Sequence, residues 1–306
     1  MRQVLRSAVA CLAACGLVAL AIAGTSAPAM ASGDTKADHC VTVKGSGSTI
    51  TLGQDKVEAG TVCFAVSTRN PGSPGGMGGS SVEMFQLNNG VTMARALSDF
   101  VNDFGSTFPT EAKGTRGLLR DVTFHGLADV TAGHPETVTE NLRPGTYYVW
   151  DAVQTFMSRT WPPVLDTLTV TKGGQGGSLH APMLVRATSA DRFIAPTTWP
   201  HEGAYLFHNV SDEFHIMDIV PVAPGTTDKQ LQALFNADSS KLPQDLRTPL
   251  FVTGPSGGND AVAAGNTIRV TYNLPPGRYV LICWVPDDEK GMPHGYMGMH
   301  QVITLR

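Results

Sequence analysis

Apolar residues come in short bursts along this chain, each closed by glycine, proline or asparagine. Residues 41–43, 62–66, 147–150, 168–170, 268–272, 279–284 and 302–305 are such bursts, and their β-branched and aromatic content predicts strands. Two stretches follow a different rhythm. Ala94, Leu97, Phe100, Val101 and Phe104 recur at helical spacing, as do Leu231, Leu234 and Phe235. Thr92 and Thr227 stand where each of these helices would need a cap. Many short strands with one short helix in each half predict an all-β protein built from Greek-key sandwiches.

The pattern occurs twice. Residues 132–147 read AGHPETVTENLRPGTY and residues 264–279 read AGNTIRVTYNLPPGRY, with nine of sixteen positions identical. A second match joins GVTMARALSDF at 90–100 to GTTDKQLQALF at 225–235. Two blocks in the same order imply a duplicated unit. Between the copies lies Lys172-Gly173-Gly174-Gln175-Gly176-Gly177-Ser178, a flexible linker by composition. The expected organisation is therefore residues 1–31 as an export signal, 32–172 as one domain, 173–178 as linker and 179–306 as a second domain.

The start of the chain carries the export signal. Arg2 and Arg6 precede an apolar run from Ala8 to Ala23, and small residues lead to Ala29-Met30-Ala31, a cleavage-type ending. The rival is a lipobox at Leu12-Ala13-Ala14-Cys15, disfavoured because the apolar run continues past Cys15. No later segment is apolar enough to span a membrane, so a secreted, extracytoplasmic protein is expected. The net charge of −4 becomes more acidic once Arg2 and Arg6 are removed, and a mildly acidic chain without a basic run is a poor nucleic-acid binder. Three cysteines outlast the signal: Cys40, Cys63 and Cys283. Cys40 and Cys63 lie in neighbouring apolar runs and are expected to pair in an oxidising compartment, leaving Cys283 as a thiol or a metal ligand.

The end of the chain carries the chemistry. The segment GRYVLICWVPDDEKGMPHGYMGMHQVITL places Cys283, His294 and Met299 on one loop between two strands, and His215 follows an earlier strand. Two imidazoles, one thiolate and one thioether are the donor set of a type 1 copper site, where soft sulfur and imidazole suit both copper oxidation states. Here the chain resembles the cupredoxin family, in Asn209 and His215 as Asn-x5-His, in the Pro-Gly-x-Tyr strand ending at Cys283, and in the Cys…His-x4-Met loop. The resemblance implies one copper ion per chain held by His215, Cys283 and His294, with Met299 axial, and with Asn209 tying the two ligand loops together. Met297 is the competing axial candidate. Ten residues separate Cys283 from His294, more than in small cupredoxins. Gly291-Met292 and Gly298-Met299 are closer to the type 1 loop of copper nitrite reductases. The resemblance further implies that the ring edge of His294 emerges in an apolar patch of Met292, Pro293, Tyr296 and Met297. His300, next to Met299, is expected to face solvent.

The first copy lacks these donors. Asp151 stands at the position of Cys283 and Ser80 at that of His215. No His-x-His pair occurs, which argues against a multicopper oxidase, and Ile282 precedes Cys283 where nitrite reductases place a histidine. Phosphate cradles and nucleophile elbows are also missing. The expectation is a non-enzymatic electron carrier serving a redox partner protein. A metal-free scaffold acting through protein contacts and an extracytoplasmic copper carrier remain open.

Overall fold

The computed structural model describes residues 40–76, 79–237 and 250–306. The expected export signal at 1–31 lies outside them. All seven strand runs read from the sequence are strands. They form within Val41–Ser46, Gly60–Thr68, Gly145–Asp151, Asp166–Thr171, Thr267–Asn273, Gly277–Ile282 and His300–Leu305, except that the run 279–284 stops as a strand at Ile282 and leaves Cys283 and Trp284 beyond it. Both expected helices form as well, over Met93–Asp103 and Asp228–Asn236. Thr92 accepts from the Arg95 N–H, and Thr227 closes a reciprocal capping box with Gln230.

The expectation of one helix per half is corrected. Phe108–Asp121 and Ala152–Ser158 are further helices in the first half, and the one-turn helix His294–Met297 is a further one in the second. Phe108–Asp121 was hidden by Gly114 and Gly117, which break an already weak apolar pattern. A Cβ on Gly114 would meet the backbone of Asp103, and one on Gly117 the carboxylate of Asp99. These glycines let two antiparallel helices approach closely, a need that local propensity does not register.

Each half is a two-sheet sandwich. In the second half, the sheet ordered Thr198–Trp199, His300–Leu305, Gly277–Ile282, His215–Pro221, Gly257–Val262 packs on Met183–Thr188, Glu202–Asn209 and Thr267–Asn273. Trp199 joins the layers, with its ring 5.5 Å from Tyr205 and 5.9 Å from Tyr272. The first half repeats the plan, and Phe64, Val82, Val138, Tyr147 and Leu168 fill its core with no more than trace exposure. Cys40 and Cys63 form a disulfide at the edge of this core.

The halves do not hang as separate beads. Thr267–Asn273 pairs antiparallel with Glu136–Leu142, which merges one sheet of each half into a single eight-stranded sheet. Val138 pairs Val270, Thr137 pairs Thr271 and Thr139 pairs Arg269. Val138 and Val270 are counterparts in the sequence repeat, so the two copies meet about a local two-fold axis. The glycine-rich segment at 173–178 is also held in place. Asn141 Nδ2 donates to the Gly177 carbonyl at 2.8 Å, and the Gly177 N–H donates to Thr61 Oγ1 at 2.8 Å.

Candidate metal centre

Three elements bring three donors together. His215 opens the strand His215–Pro221, Cys283 follows the adjacent strand Gly277–Ile282, and His294 starts the helix His294–Met297. Cys283 Sγ lies 3.6 Å from His215 Nδ1 and 3.6 Å from His294 Nδ1. The two imidazole rings stand 4.8 Å apart, tilted by 60°. His215, Cys283 and His294 are all buried.

Met299 is fully buried one strand-start away, and its backbone is tied to two donors. The Cys283 N–H donates to the Met299 carbonyl at 3.2 Å, and the Met299 N–H donates to the His294 carbonyl at 2.9 Å. Met297, the competing candidate, is half-buried at the helix end. Gly298 takes the left-handed conformation, φ 112°, that turns the chain from that helix back to Met299.

The ten residues between Cys283 and His294 form a pinched excursion. Its neck closes where the His294 N–H donates to the Val285 carbonyl at 2.9 Å and Pro286 bridges Pro293. Its tip lies on the first half. Thr115 Oγ1 donates to the Pro286 carbonyl at 3.0 Å, Arg116 donates to the Asp288 carbonyl, and Gly291 abuts the backbone of Phe108. The unusual loop length therefore buys a contact with helix Phe108–Asp121, while the donor positions on either side of the neck stay adjacent.

Several second-half residues take places different from those expected. Asn209 Nδ2 donates to the Glu213 carbonyl at 2.7 Å and to the Val262 carbonyl at 2.8 Å. It thus fixes the His215 loop to the strand Gly257–Val262, and does not reach the Cys283–Met299 loop. His300 does not face solvent. Its ring lies over helix Asp228–Asn236, with Nδ1 3.2 Å from Asp228 Oδ1 and Nε2 3.1 Å from Gln232 Oε1. The ring edge of His294 does not emerge in an apolar patch. Tyr296 stacks on Phe235 at 4.7 Å, and His294 Nε2 faces Glu213 Oε2 at 3.3 Å and Asp191 Oδ1 at 4.0 Å. Glu213 and Asp191 carried no motif that could have marked them in the sequence.

The electrostatics separate the two histidines. Burial, with the charge of His294 beside it, pushes His215 down to about 3, so it presents a neutral imidazole. His294 is pushed up to about 10. Burial opposes its charge, and the Cys283 sulfur and the Glu213 carboxylate outweigh burial. A cation between the sulfur and the two Nδ1 atoms would take over the role of that proton.

The residues fit a soft or borderline metal ion. Two imidazole Nδ1 nitrogens and one thiol converge in a buried site. One sulfur and two nitrogens at this spacing suit copper and also zinc.

No protein-family model matches the chain, and no curated protein matches it. Solved structures show a distant likeness. A sodium-dithionite-reduced auracyanin from the photosynthetic bacterium Roseiflexus castenholzii is 20% identical, covering 40% of this chain and 94% of that one, at TM-score 0.25. Reduced rusticyanin is 19% identical, covering 40% and 75%, at TM-score 0.24. A copper nitrite reductase from Nitrosomonas europaea is 10% identical, covering 87% and 94%, at TM-score 0.20. Overlaps this low carry no weight for the site, which stands on the chain's own geometry. The buried His–Cys–His group resembles a type 1 copper site.

Proposed function

We propose that His215, Cys283 and His294 hold one copper ion, with Met299 as its weak axial partner, and that the protein carries single electrons. The carrying observation is the convergence of Cys283 Sγ with two imidazole Nδ1 atoms at 3.6 Å in a fully buried site. Copper bound there supplies a one-electron couple. The protein's part is to keep the donors where both oxidation states accept them. The His215 loop is locked by Asn209, and the Cys283–His294 loop is closed at its neck and braced on the first half. Small rearrangement between oxidation states is what fast electron transfer requires.

Export is proposed from the charged, apolar and small-residue succession over residues 1–31. Among the described residues, no helix is long and apolar enough to cross a membrane. The partner is proposed to be a redox protein. Nothing favours nucleic acid in a chain of net charge −4.

Adding Cu(II) to the purified full chain tests the assignment. The wild type is expected to take up one equivalent and gain an intense visible band with a matching paramagnetic resonance signal. A protein that stays colourless and metal-free in excess Cu(II) sinks the assignment. Sustained turnover of a phenol or of nitrite by the copper-loaded protein would replace the carrier role with an enzymatic one.

A further inference from the structure

The other edge of His294 has no place in the electron carrier described above. Its ring is fully buried, yet Nε2 has no hydrogen-bond partner. That nitrogen faces a nest of carboxylates: Glu213 Oε2 at 3.3 Å, Asp191 Oδ1 at 4.0 Å, and Asp287 close behind. Glu213 Oε2 also has no hydrogen-bond partner, so the short contact is not an aligned hydrogen bond.

We propose that this nest is a second metal site, in which His294 Nε2, Glu213 and Asp287 hold a divalent cation of the zinc class, with Asp191 at its rim. Donor atoms of the three residues lie within 4.8 Å of one another. Ligands about 2.1 Å from a tetrahedral zinc stand roughly 3.4 Å apart, so the Glu213–His294 spacing of 3.3 Å already matches, and Asp287, whose Oδ1 accepts from the Lys290 N–H at 2.6 Å, would have to close in on the ion. One imidazole with two carboxylates is a borderline donor set that suits zinc, leaving a fourth position for Asp191 or water. The local countercharge is weak, since Lys290 Nζ lies 3.9 Å from Asp287 on a largely exposed side chain that can swing away.

The two sites use different faces of one ring. The inner set takes His294 Nδ1 and the outer set takes Nε2. When both are filled, the Nε2–H bond breaks, an Nε2–metal bond forms, and the proton leaves to solvent. His294 would then offer Nδ1 to the inner ion and Nε2 to the outer one. The outer site also links residues either side of the long loop to the His215 loop. Filling it would stiffen the inner donors.

The test uses tag-free full-length protein and Zn(II) alone. In a Cys283→Ser background, which removes the inner thiolate, calorimetry should find one equivalent of zinc. Adding Glu213→Gln or Asp287→Asn should weaken that binding at least about tenfold, since even loss of a group outside the first ligand layer costs that much. Circular dichroism and melting should confirm that each variant is folded. In the wild type, Glu213→Gln should lose the zinc and keep the copper–thiolate band. Zinc binding that ignores both substitutions, or no zinc binding at all, overturns the proposal. Failure of the copper assignment reads out separately, as a missing visible band with zinc binding intact.

Discussion

The two halves of the chain carry the same strand pairs in the same register and different chemistry at the same places. Ser80 stands opposite Val130 as His215 stands opposite Val262, and Glu83 opposite Trp150 as Asp218 opposite Ile282. Where Cys283 faces two imidazoles, Asp151 caps helix Ala152–Ser158 by accepting from the Gln154 N–H at 2.9 Å. Where His215 points at the thiol, Ser80 Oγ bonds Thr68 and Asn70. The strand frame that positions donors is thus present twice, and the side chains it carries, with the loop that follows it, separate the half with a donor set from the half without one. The first half contributes its surface instead, since helix Phe108–Asp121 braces the loop that carries the donors of the second.

The largest expected effect comes from making the second half like the first. Cys283→Asp should abolish the visible copper–thiolate band completely, because a carboxylate cannot supply the sulfur donor, and no residual band should remain from the first half. A band surviving in this variant would place a thiolate-free chromophore, or copper in the first half, on the protein.

Acidity separates the contact between halves from ordinary surface. Asp218 and Asp260 are pushed up to about 7, chiefly by burial, with neighbouring carboxylates adding to it. Asp260 accepts a hydrogen bond from Ser81 of the other half. Their folded-state values are raised, so their contribution is complete below the ordinary carboxyl range near 4 and is lost as pH rises through about 7. One such group accounts for on the order of 4 kcal/mol over that window. The melting temperature should fall from pH 5 to pH 8, and Asp260→Asn should flatten the slope. A stability that rises steadily over this range would contradict the buried, protonated state of these groups.

The disulfide belongs to the first half alone among the described residues, since Cys283 is the free cysteine there. Its partners are 23 residues apart, and the loop-entropy model assigns the bond roughly 3 kcal/mol. The double variant Cys40→Ala, Cys63→Ala should lower the melting temperature and leave the copper band untouched. A changed band would mean that the halves are coupled more tightly than the brace on the long loop implies.

The smallest effect compares the matching caps. Thr92 and Thr227 begin equivalent helices, and only Thr227 makes the reciprocal box with Gln230. Each Thr→Ala change should cost about 1 kcal/mol, with Thr227 the more costly. Paired denaturant titrations would resolve the difference, and equal costs would remove the energetic meaning of the box.

Strand Gly257–Val262 shows why parts of the fold were hidden. Its sequence, GGNDAV, has no apolar alternation, yet every residue in it is buried. Its polar groups are met from across the molecule, with the Gly258 N–H donating to Glu136 Oε1 at 3.1 Å and Asp260 accepting from Ser81. The acids over His294 were hidden for the same reason. Glu213 lies next to Phe214 in sequence, and its meaning comes only from where His294 lands.

By itself the sequence determined what depends on near neighbours: the strand runs, the two capped helices, the internal repeat, and the order His215, Cys283, His294, Met299. The tertiary structure alone decided that the halves fuse through Val138 and Val270, that the long loop rests on Phe108–Asp121, and that the outer edge of His294 meets carboxylates. Periodicity and capping are set by residues a few positions apart, whereas these three features each join groups far apart along the chain, and only packing brings such groups within reach of one another.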